Sequence, residues 1–152
     1  MIRLKTQDEI EIMREGGKRH AEILRELAKL CTEGTSTIIL EEEALRLIRE
    51  GGDKPAFLNY KPAGAKRPFP AALCVSINDE IVHGIPNEAE RILQDGDIVS
   101  IDLGLIHKGL ITDSAITVGV GAIDDESREL INMTRKALEA GIREALPNNT
   151  VG

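Results

Sequence analysis

The chain has 152 residues, with 19 Lys and Arg against 26 Asp and Glu, and therefore a formal net charge of −7. This length fits one domain that can bury a core without disulfide or metal support. Apolar residues at 41% and charged residues at 30% exclude a disordered or low-complexity chain. No stretch approaches the ~18 uncharged residues of a membrane span, so we expect no association with a membrane.

The charge is unevenly distributed along the chain. Residues 1–70 carry 13 basic and 12 acidic groups, whereas residues 71–152 carry 6 and 14. The acidic half disfavours nucleic acid as a partner, because nucleic-acid binding needs a basic face. The first residues lack the apolar run of a signal peptide, and the sequence contains only two cysteines, Cys31 and Cys74. Both features predict a cytoplasmic protein.

Apolar spacing predicts three helices. Residues 7–30 repeat apolar side chains at three- and four-residue steps, and Gly16-Gly17 marks either a kink or the close approach of another backbone. Residues 38–50 form a second helix, which Gly51-Gly52 ends. A third helix is predicted over residues 125–145.

Short apolar runs lie between the second and third helices. Residues 53–70 are irregular and contain four prolines, which is typical of a functional or mobile loop. Apolar runs follow at 72–77, 81–82, 98–106 and 110–120, and the last two carry the Ile, Val and Thr that favour strands. This order predicts an α+β fold with helices packed on one face of an antiparallel sheet.

All aromatic side chains fall in one short segment. Phe57, Tyr60 and Phe69 are the only aromatic residues, and they lie within thirteen residues. The core must therefore be aliphatic, and the aromatic segment indicates a local pocket or a small cluster.

Two aspartates occupy the predicted hairpin of 98–106 and 110–120. If the turn is centred between His107 and Lys108, residue 102 pairs with residue 113. The carboxylates of Asp102 and Asp113 would then lie directly opposite each other, with Cβ atoms about 4.5–5.5 Å apart. A bulge at Gly109 would shift this register.

Two carboxylates inside apolar strands repel each other, and each costs several kcal/mol to bury unpaired. Neither strand contains a Lys or Arg that could neutralise them. A shared proton or a bound divalent cation would relieve the repulsion, and two bridging carboxylates suit a two-metal site. Exposure of one aspartate at a strand end would also relieve it, and the residues alone leave these alternatives open.

A histidine follows the short apolar run 81–82, which we expect to be a strand. His83 precedes Gly84, which permits close approach of another backbone. A histidine in this place is a metal ligand, a proton shuttle, a substrate-orienting donor or a satisfied structural residue.

Together these segments resemble the methionine aminopeptidases, metal-dependent enzymes with the pita-bread fold, and the resemblance extends over nearly the whole chain. The N-terminus and Cys74 are similar to the short bacterial type I form. The motifs that carry the resemblance are Ile2-Arg3-Leu4-Lys5-Thr6 with Met13-Arg14, Pro55-Ala56-Phe57, Phe69-Pro70-Ala71, Cys74-Val75-Ser76-Ile77-Asn78, His83-Gly84-Ile85-Pro86, Gly96-Asp97-Ile98-Val99, and the aspartates 102 and 113.

The resemblance implies removal of the initiator methionine from nascent polypeptides whose second residue is small. Asp102 and Asp113 match metal ligands for a pair of divalent ions such as Co, Mn, Fe or Zn. His83 matches a catalytic histidine that contacts the substrate near the scissile bond and assists proton transfer. The residues that match the pocket for the methionine side chain are Phe57, Tyr60, Phe69 and Cys74.

The chain departs from the family pattern in three places. Residues 61–68 look like a short insertion at the rim of the pocket, and Ser100 and Gly104 flank Asp102 where many relatives carry Asn and Thr. The remaining ligands of the family, one histidine and two glutamates, lie in a C-terminal half. We therefore expect residues 1–152 to form an N-terminal lobe with weak or partial metal binding and little activity alone.

Two alternatives accompany this hypothesis. One is a relative without catalysis that acts as a peptide- or ribosome-binding module or as a dimer of lobes. The other is a different pita-bread enzyme, such as a proline dipeptidase, although the residues around His83 favour the methionine-specific branch. The expected partners are nascent peptide N-termini, including those at the ribosome. A single lobe exposes the face that normally meets a second lobe, so we also expect a homodimer or aggregates.

Overall fold

The computed structural model describes residues 3–150. Ile2, the first residue of the first motif named above, lies outside the described residues, as do Met1, Val151 and Gly152. The elements, in chain order, are α1 (Gln7–Leu30), α2 (Thr37–Glu50), β1 (Lys54–Pro55), β2 (Leu73–Ile77), β3 (Ile98–His107), β4 (Leu110–Gly119) and α3 (Asp125–Glu144).

The α+β class and the antiparallel sheet are confirmed. β3 is central, and β4 pairs with one of its edges along ten residues. β1 and β2 share the other edge: Lys54 pairs with Ile106, and Leu73 pairs with Leu103. Among the described strands, β4 pairs with β3 alone, so one edge of β4 lacks a strand partner.

The two faces of β3 differ in chemistry because successive side chains point to opposite sides of a sheet. The odd-numbered positions from Val99 to Leu105 are fully buried against α1 and α2. The even-numbered positions on the other face are Ser100, Asp102 and Gly104. The fully buried aliphatic side chains of the core are Leu27, Leu40, Ile48, Leu73, Val75, Leu93, Val99, Ile101, Leu103, Leu105 and Val120.

α1 begins at a capping box, in which Thr6 and Glu9 satisfy each other's backbone N–H groups. The glycine pair at 16–17 does not interrupt the helix. A Cβ built on Gly16 would lie 3.0 Å from the Cβ of His107, so this glycine lets β3 approach α1 closely. Of the two predicted alternatives, the close approach is therefore the one observed.

A charged network joins the β3–β4 hairpin to α1. His107 Nδ1 lies 2.7 Å from Asp53 Oδ1, and the other oxygen of that carboxylate accepts a hydrogen bond from Arg19 Nε at 2.7 Å. Glu15 approaches His107 Nε2 to 3.2 Å and pairs with Lys108 at 2.7 Å. The side chains of Asp53 and His107 are nearly inaccessible, so the network fixes the hairpin to the helix layer.

α3 differs from α1 and α2 in that none of its residues is buried. Its N-terminus is fixed by the Asp124 side chain, which accepts a hydrogen bond from the backbone N–H of Ser127 at 2.7 Å. Ile131 is half-buried, whereas four other apolar side chains of α3 are more than half exposed: Leu130, Met133, Leu138 and Ile142. Within residues 3–150, no helix combines the length and apolar content that a bilayer span requires.

Candidate metal and peptide site

The β3–β4 turn sets the positions of the two aspartates. The turn contains two residues, Lys108 and Gly109, with φ of 48° and 84°. Positive φ at both turn positions is the type I′ geometry, whose twist matches that of the flanking strands. The predicted direct pairing of residues 102 and 113 is therefore wrong by two residues, since Asp102 pairs with Ala115 and Asp113 with Gly104.

The two aspartates still share one face of the sheet. Residues 113 and 115 are on the same side of β4, so Asp102 and Asp113 are diagonal neighbours, a relation with a typical spacing of about 7–8 Å. Asp102 is half-buried and Asp113 is exposed. Burial and the negative charge of Asp113 raise the pKa of the Asp102 carboxyl, and His83 partly opposes this. A cation between the carboxylates would relieve their repulsion.

The described residues provide an incomplete set of metal ligands. Across residues 3–150, no three His, Cys, Asp or Glu side chains cluster in a way that could hold a metal ion. The two carboxylates nevertheless offer hard oxygen ligands on one face, which suits a divalent cation. They fit one side of a metal site.

His83 is held beside β2 by the residue that follows it. Gly84 accepts a hydrogen bond from the Val75 backbone N–H at 2.9 Å and donates one to Ser76 Oγ at 3.1 Å. A Cβ on Gly84 would overlap the Val75 carbonyl oxygen, which confirms the predicted close backbone approach. The predicted strand at 81–82 is wrong, because these exposed residues lie in irregular backbone. His83 itself has φ of 61° and is exposed.

Sequence reasoning did not identify Ser76 as part of the site. Its side chain is 4% exposed and lies on the same side of β2 as Cys74. The sequence feature that could have identified Ser76 is the alternation of small polar residues, Cys74 and Ser76, within an otherwise aliphatic strand. Such residues on one face of a buried strand indicate that this face is not part of the aliphatic core.

A groove of about 510 Å³ joins the aromatic segment to the sheet. The rings of Phe57 and Phe69 meet edge to face with centroids 6.3 Å apart, so the aromatic segment forms a small cluster, and all three of its aromatic side chains line the groove. Asp113 is not among the lining residues. Six of the seven predicted site residues line the groove: Phe57, Tyr60, Phe69, Cys74, His83 and Asp102.

Cys74 forms the inner wall of the groove beside Asp102, its direct partner in the β2–β3 ladder. Burial, together with the negative charge of Asp102, raises the pKa of the Cys74 thiol to about 12. The thiol is therefore neutral at physiological pH and presents a soft, polarisable surface.

The predicted insertion 61–68 lies at the rim of the groove. Four of its residues, Pro62, Ala65, Arg67 and Pro68, line the cavity. Arg67 forms an ion pair with Glu88, which connects the insertion to the segment that follows His83.

Comparisons with known proteins agree with this geometry. A model of Metallopeptidase family M24 matches residues 11–152. The chain is 45% identical to a methionine aminopeptidase of Aquifex aeolicus over 99% of its own length and 58% of that protein. It is 42% identical to methionine aminopeptidase 1 of Bacillus subtilis, covering 97% of this chain and 56% of the relative.

Solved structures show the same fold. Methionine aminopeptidase from Thermotoga maritima superposes with a TM-score of 0.87 at 38% identity, covering 96% of this chain and 55% of that one. The prolidase of Pyrococcus horikoshii, at 19% identity and a TM-score of 0.75, shares the fold alone. The chain spans a little over half the length of the curated relatives it matches. With its pita-bread architecture and a family match over nearly its whole length, the chain belongs to metallopeptidase family M24.

Proposed function

We propose that this chain provides the methionine-binding half of a methionine aminopeptidase site. The enzyme would hydrolyse the bond after the initiator methionine of nascent polypeptides whose second residue is small. The observation that carries the proposal is the groove, which places aromatic and thiol walls beside the imidazole of His83 and the carboxylate of Asp102. The similarity to methionine aminopeptidases at up to 45% identity supports this choice of substrate.

The groove suits a methionine side chain for two reasons. Three aromatic side chains, Phe57, Tyr60 and Phe69, line it, and sulfur makes favourable contacts with aromatic rings. The neutral Cys74 thiol adds a polarisable surface, and it places no charge against the thioether of the methionine. The N-terminal amine and the scissile carbonyl would then lie toward Asp102 and His83.

A divalent metal completes the proposed chemistry. Asp102 and Asp113 would hold it, and a pair of Co, Mn, Fe or Zn ions is the proposed form. When bound, such ions polarise the scissile carbonyl and lower the pKa of a water molecule. Two carboxylates are too few for tight binding of two ions, so we expect weak or partial binding by this chain.

His83 would contact the substrate near the scissile bond and assist proton transfer. Its imidazole is exposed at the groove, while the hydrogen bonds of Gly84 to β2 fix the backbone next to it. The fixed backbone keeps this imidazole at the groove, where it could reach a bound peptide. The proposed partners are nascent peptide N-termini rather than nucleic acid, and the activity would therefore act in the cytoplasm.

Metal titration tests the proposal. Purified protein is titrated with Mn²⁺ by calorimetry, with and without a Met-Ala-Ser peptide. We expect measurable Mn²⁺ binding that strengthens with the peptide and is lost in Asp102→Asn. Glu139→Gln on α3, an exposed carboxylate away from the groove, is the matched control and should behave as wild type. Binding that survives Asp102→Asn unchanged would refute the assigned metal ligand.

A second candidate function is a peptide-binding module without catalysis. The incomplete ligand set within residues 3–150 favours it. An assay for released methionine at increasing Mn²⁺ concentration separates the two, because a binding module would bind Met-Ala-Ser without releasing methionine at any metal concentration. Metal-dependent release of methionine that Asp102→Asn abolishes would establish the peptidase.

A further inference from the structure

Gly104 lies at a point of β3 that the metal ligands surround. It follows Asp102 by two residues on the same face of the sheet and is the direct ladder partner of Asp113. The residue is buried, although this face of β3 is not covered by a helix. Something other than the helix layer therefore covers it.

The ring of Phe57 covers Gly104. A Cβ built on Gly104 would lie 2.6 Å from Phe57 Cε1 and 2.9 Å from the Cβ of Ala56. Both distances are shorter than real carbon contacts, so the ring and a side chain at position 104 would occupy the same volume. The strand admits the ring because it carries glycine here.

Phe57 has little freedom to move away from Gly104. The backbone N–H of Ala56 donates a hydrogen bond of 2.8 Å to the Gly104 carbonyl oxygen, which ties the segment to β3. The ring also meets Phe69 edge to face, with centroids 6.3 Å apart. A ring displaced from β3 would therefore move into the groove or push Phe69 into it.

We propose that Gly104 is a specificity-determining residue, which sets the width of the groove by letting Phe57 rest against β3. This inference rests on the proposed function. A groove kept open in this way accepts a long, unbranched apolar side chain, such as that of methionine or norleucine. A side chain at position 104 would narrow the groove and favour shorter N-terminal residues.

The test compares peptide binding by variants at the two positions. Peptides Xaa-Ala-Ser, with Xaa as methionine, norleucine or alanine, are titrated by calorimetry in the presence of Mn²⁺. We expect Gly104→Ala to weaken binding of the methionine and norleucine peptides by about 10-fold or more, a change of the size expected for one methylene in an apolar pocket. The alanine peptide should be unaffected. Gly17→Ala on α1, where a Cβ meets no atom within 4 Å, is the matched control.

The double variant Phe57→Leu with Gly104→Ala should recover the methionine preference, because leucine frees the volume that the new methyl group needs. Phe57→Leu alone keeps the inference testable if Gly104→Ala does not fold. It should widen the groove and improve binding of a Phe-Ala-Ser peptide relative to Met-Ala-Ser.

The outcomes separate the inference from the proposed function. If wild type prefers methionine and Gly104→Ala keeps the same ranking, Gly104 does not set specificity, and the proposed function stands. An unchanged ranking in Phe57→Leu has the same meaning. If wild type shows no preference for methionine over alanine, both the proposed function and the inference are wrong.

Discussion

α1 and α3 are both long amphipathic helices, but only α1 buries its apolar face. α1 encloses Ile23, Leu24 and Leu27 against β3 and β4, whereas α3 buries no residue and leaves Leu138 62% exposed. The periodic pattern is equally clear in both helices. The comparison teaches that periodicity predicts a helix and its apolar face, while the partner of that face depends on the rest of the fold.

The largest expected change in the free energy of unfolding comes from substitution of a buried residue of α1. Leu27 is fully buried, so Leu27→Ala should lower the free energy of unfolding by about 2–5 kcal/mol through lost burial and the cavity left behind. Leu138→Ala should change it by less than about 0.5 kcal/mol. Urea denaturation measures both. Equal losses would show that α3 is packed as firmly as α1.

A smaller loss in the free energy of unfolding is expected when a buried carboxylate on α2 is removed. Glu41 is 4% exposed and accepts hydrogen bonds from the backbone N–H groups of Ala72 and Leu73 at 2.8 and 3.4 Å. Glu41→Ala would leave these donors buried without a partner, at a cost of about 1–3 kcal/mol. Chemical denaturation at neutral pH measures this cost, and a loss near zero would show that these hydrogen bonds do not stabilise the fold.

The same carboxylate predicts a pH dependence. Burial raises the pKa of Glu41 above its ordinary value of 4.5, although the two backbone donors oppose the shift. The folded state therefore binds the proton more tightly than the unfolded state, so this group's contribution to stability increases as the pH falls from its folded pKa toward about 4.5. Relative to Glu41→Gln, wild type should gain stability over that window. A relative loss there would contradict the sign.

The smallest expected change in the free energy of unfolding comes from a substitution on α3 that should alter association of the protein instead. The exposed stripe of α3 carries Leu130, Met133, Leu138 and Ile142, and exposed apolar patches promote association. Light scattering should therefore detect a homodimer or larger species at high protein concentration. Leu138→Glu should shift the protein toward monomer with little change in unfolding, whereas Ile39→Glu on α2, also half-exposed, should not. Wild type that stays monomeric at every concentration would refute this expectation.

Much of the fold could be predicted because it depends on local patterns. The bounds of α1 and α2 agree with the predicted 7–30 and 38–50 to within one residue. The register of the hairpin could not be predicted, because it depends on Lys108 adopting positive φ next to Gly109. The apolar pair 81–82 suggested a strand, but the close bonding of Gly84 to β2 holds this segment in irregular backbone.

Sequence reasoning predicted several residues that line the groove but not their arrangement. The aromatic segment and the resemblance identified six of its lining residues. Their arrangement depends on contacts between distant parts of the chain, such as the packing of Phe57 on Gly104, 47 residues away. Sequence periodicity does not predict that contact, because the contact forms only when the loop folds over the sheet.

The central claim is that the groove beside Asp102, and not the exposed face of α3, binds an N-terminal methionine. The most direct test is an NMR titration of isotopically labelled protein with Met-Ala-Ser in the presence of a diamagnetic divalent ion such as Zn²⁺. The account predicts saturable shifts for Phe57, Cys74, His83 and Asp102, with the resonances of α3 unchanged. Saturable shifts confined to α3, or no shift at millimolar peptide, would contradict it.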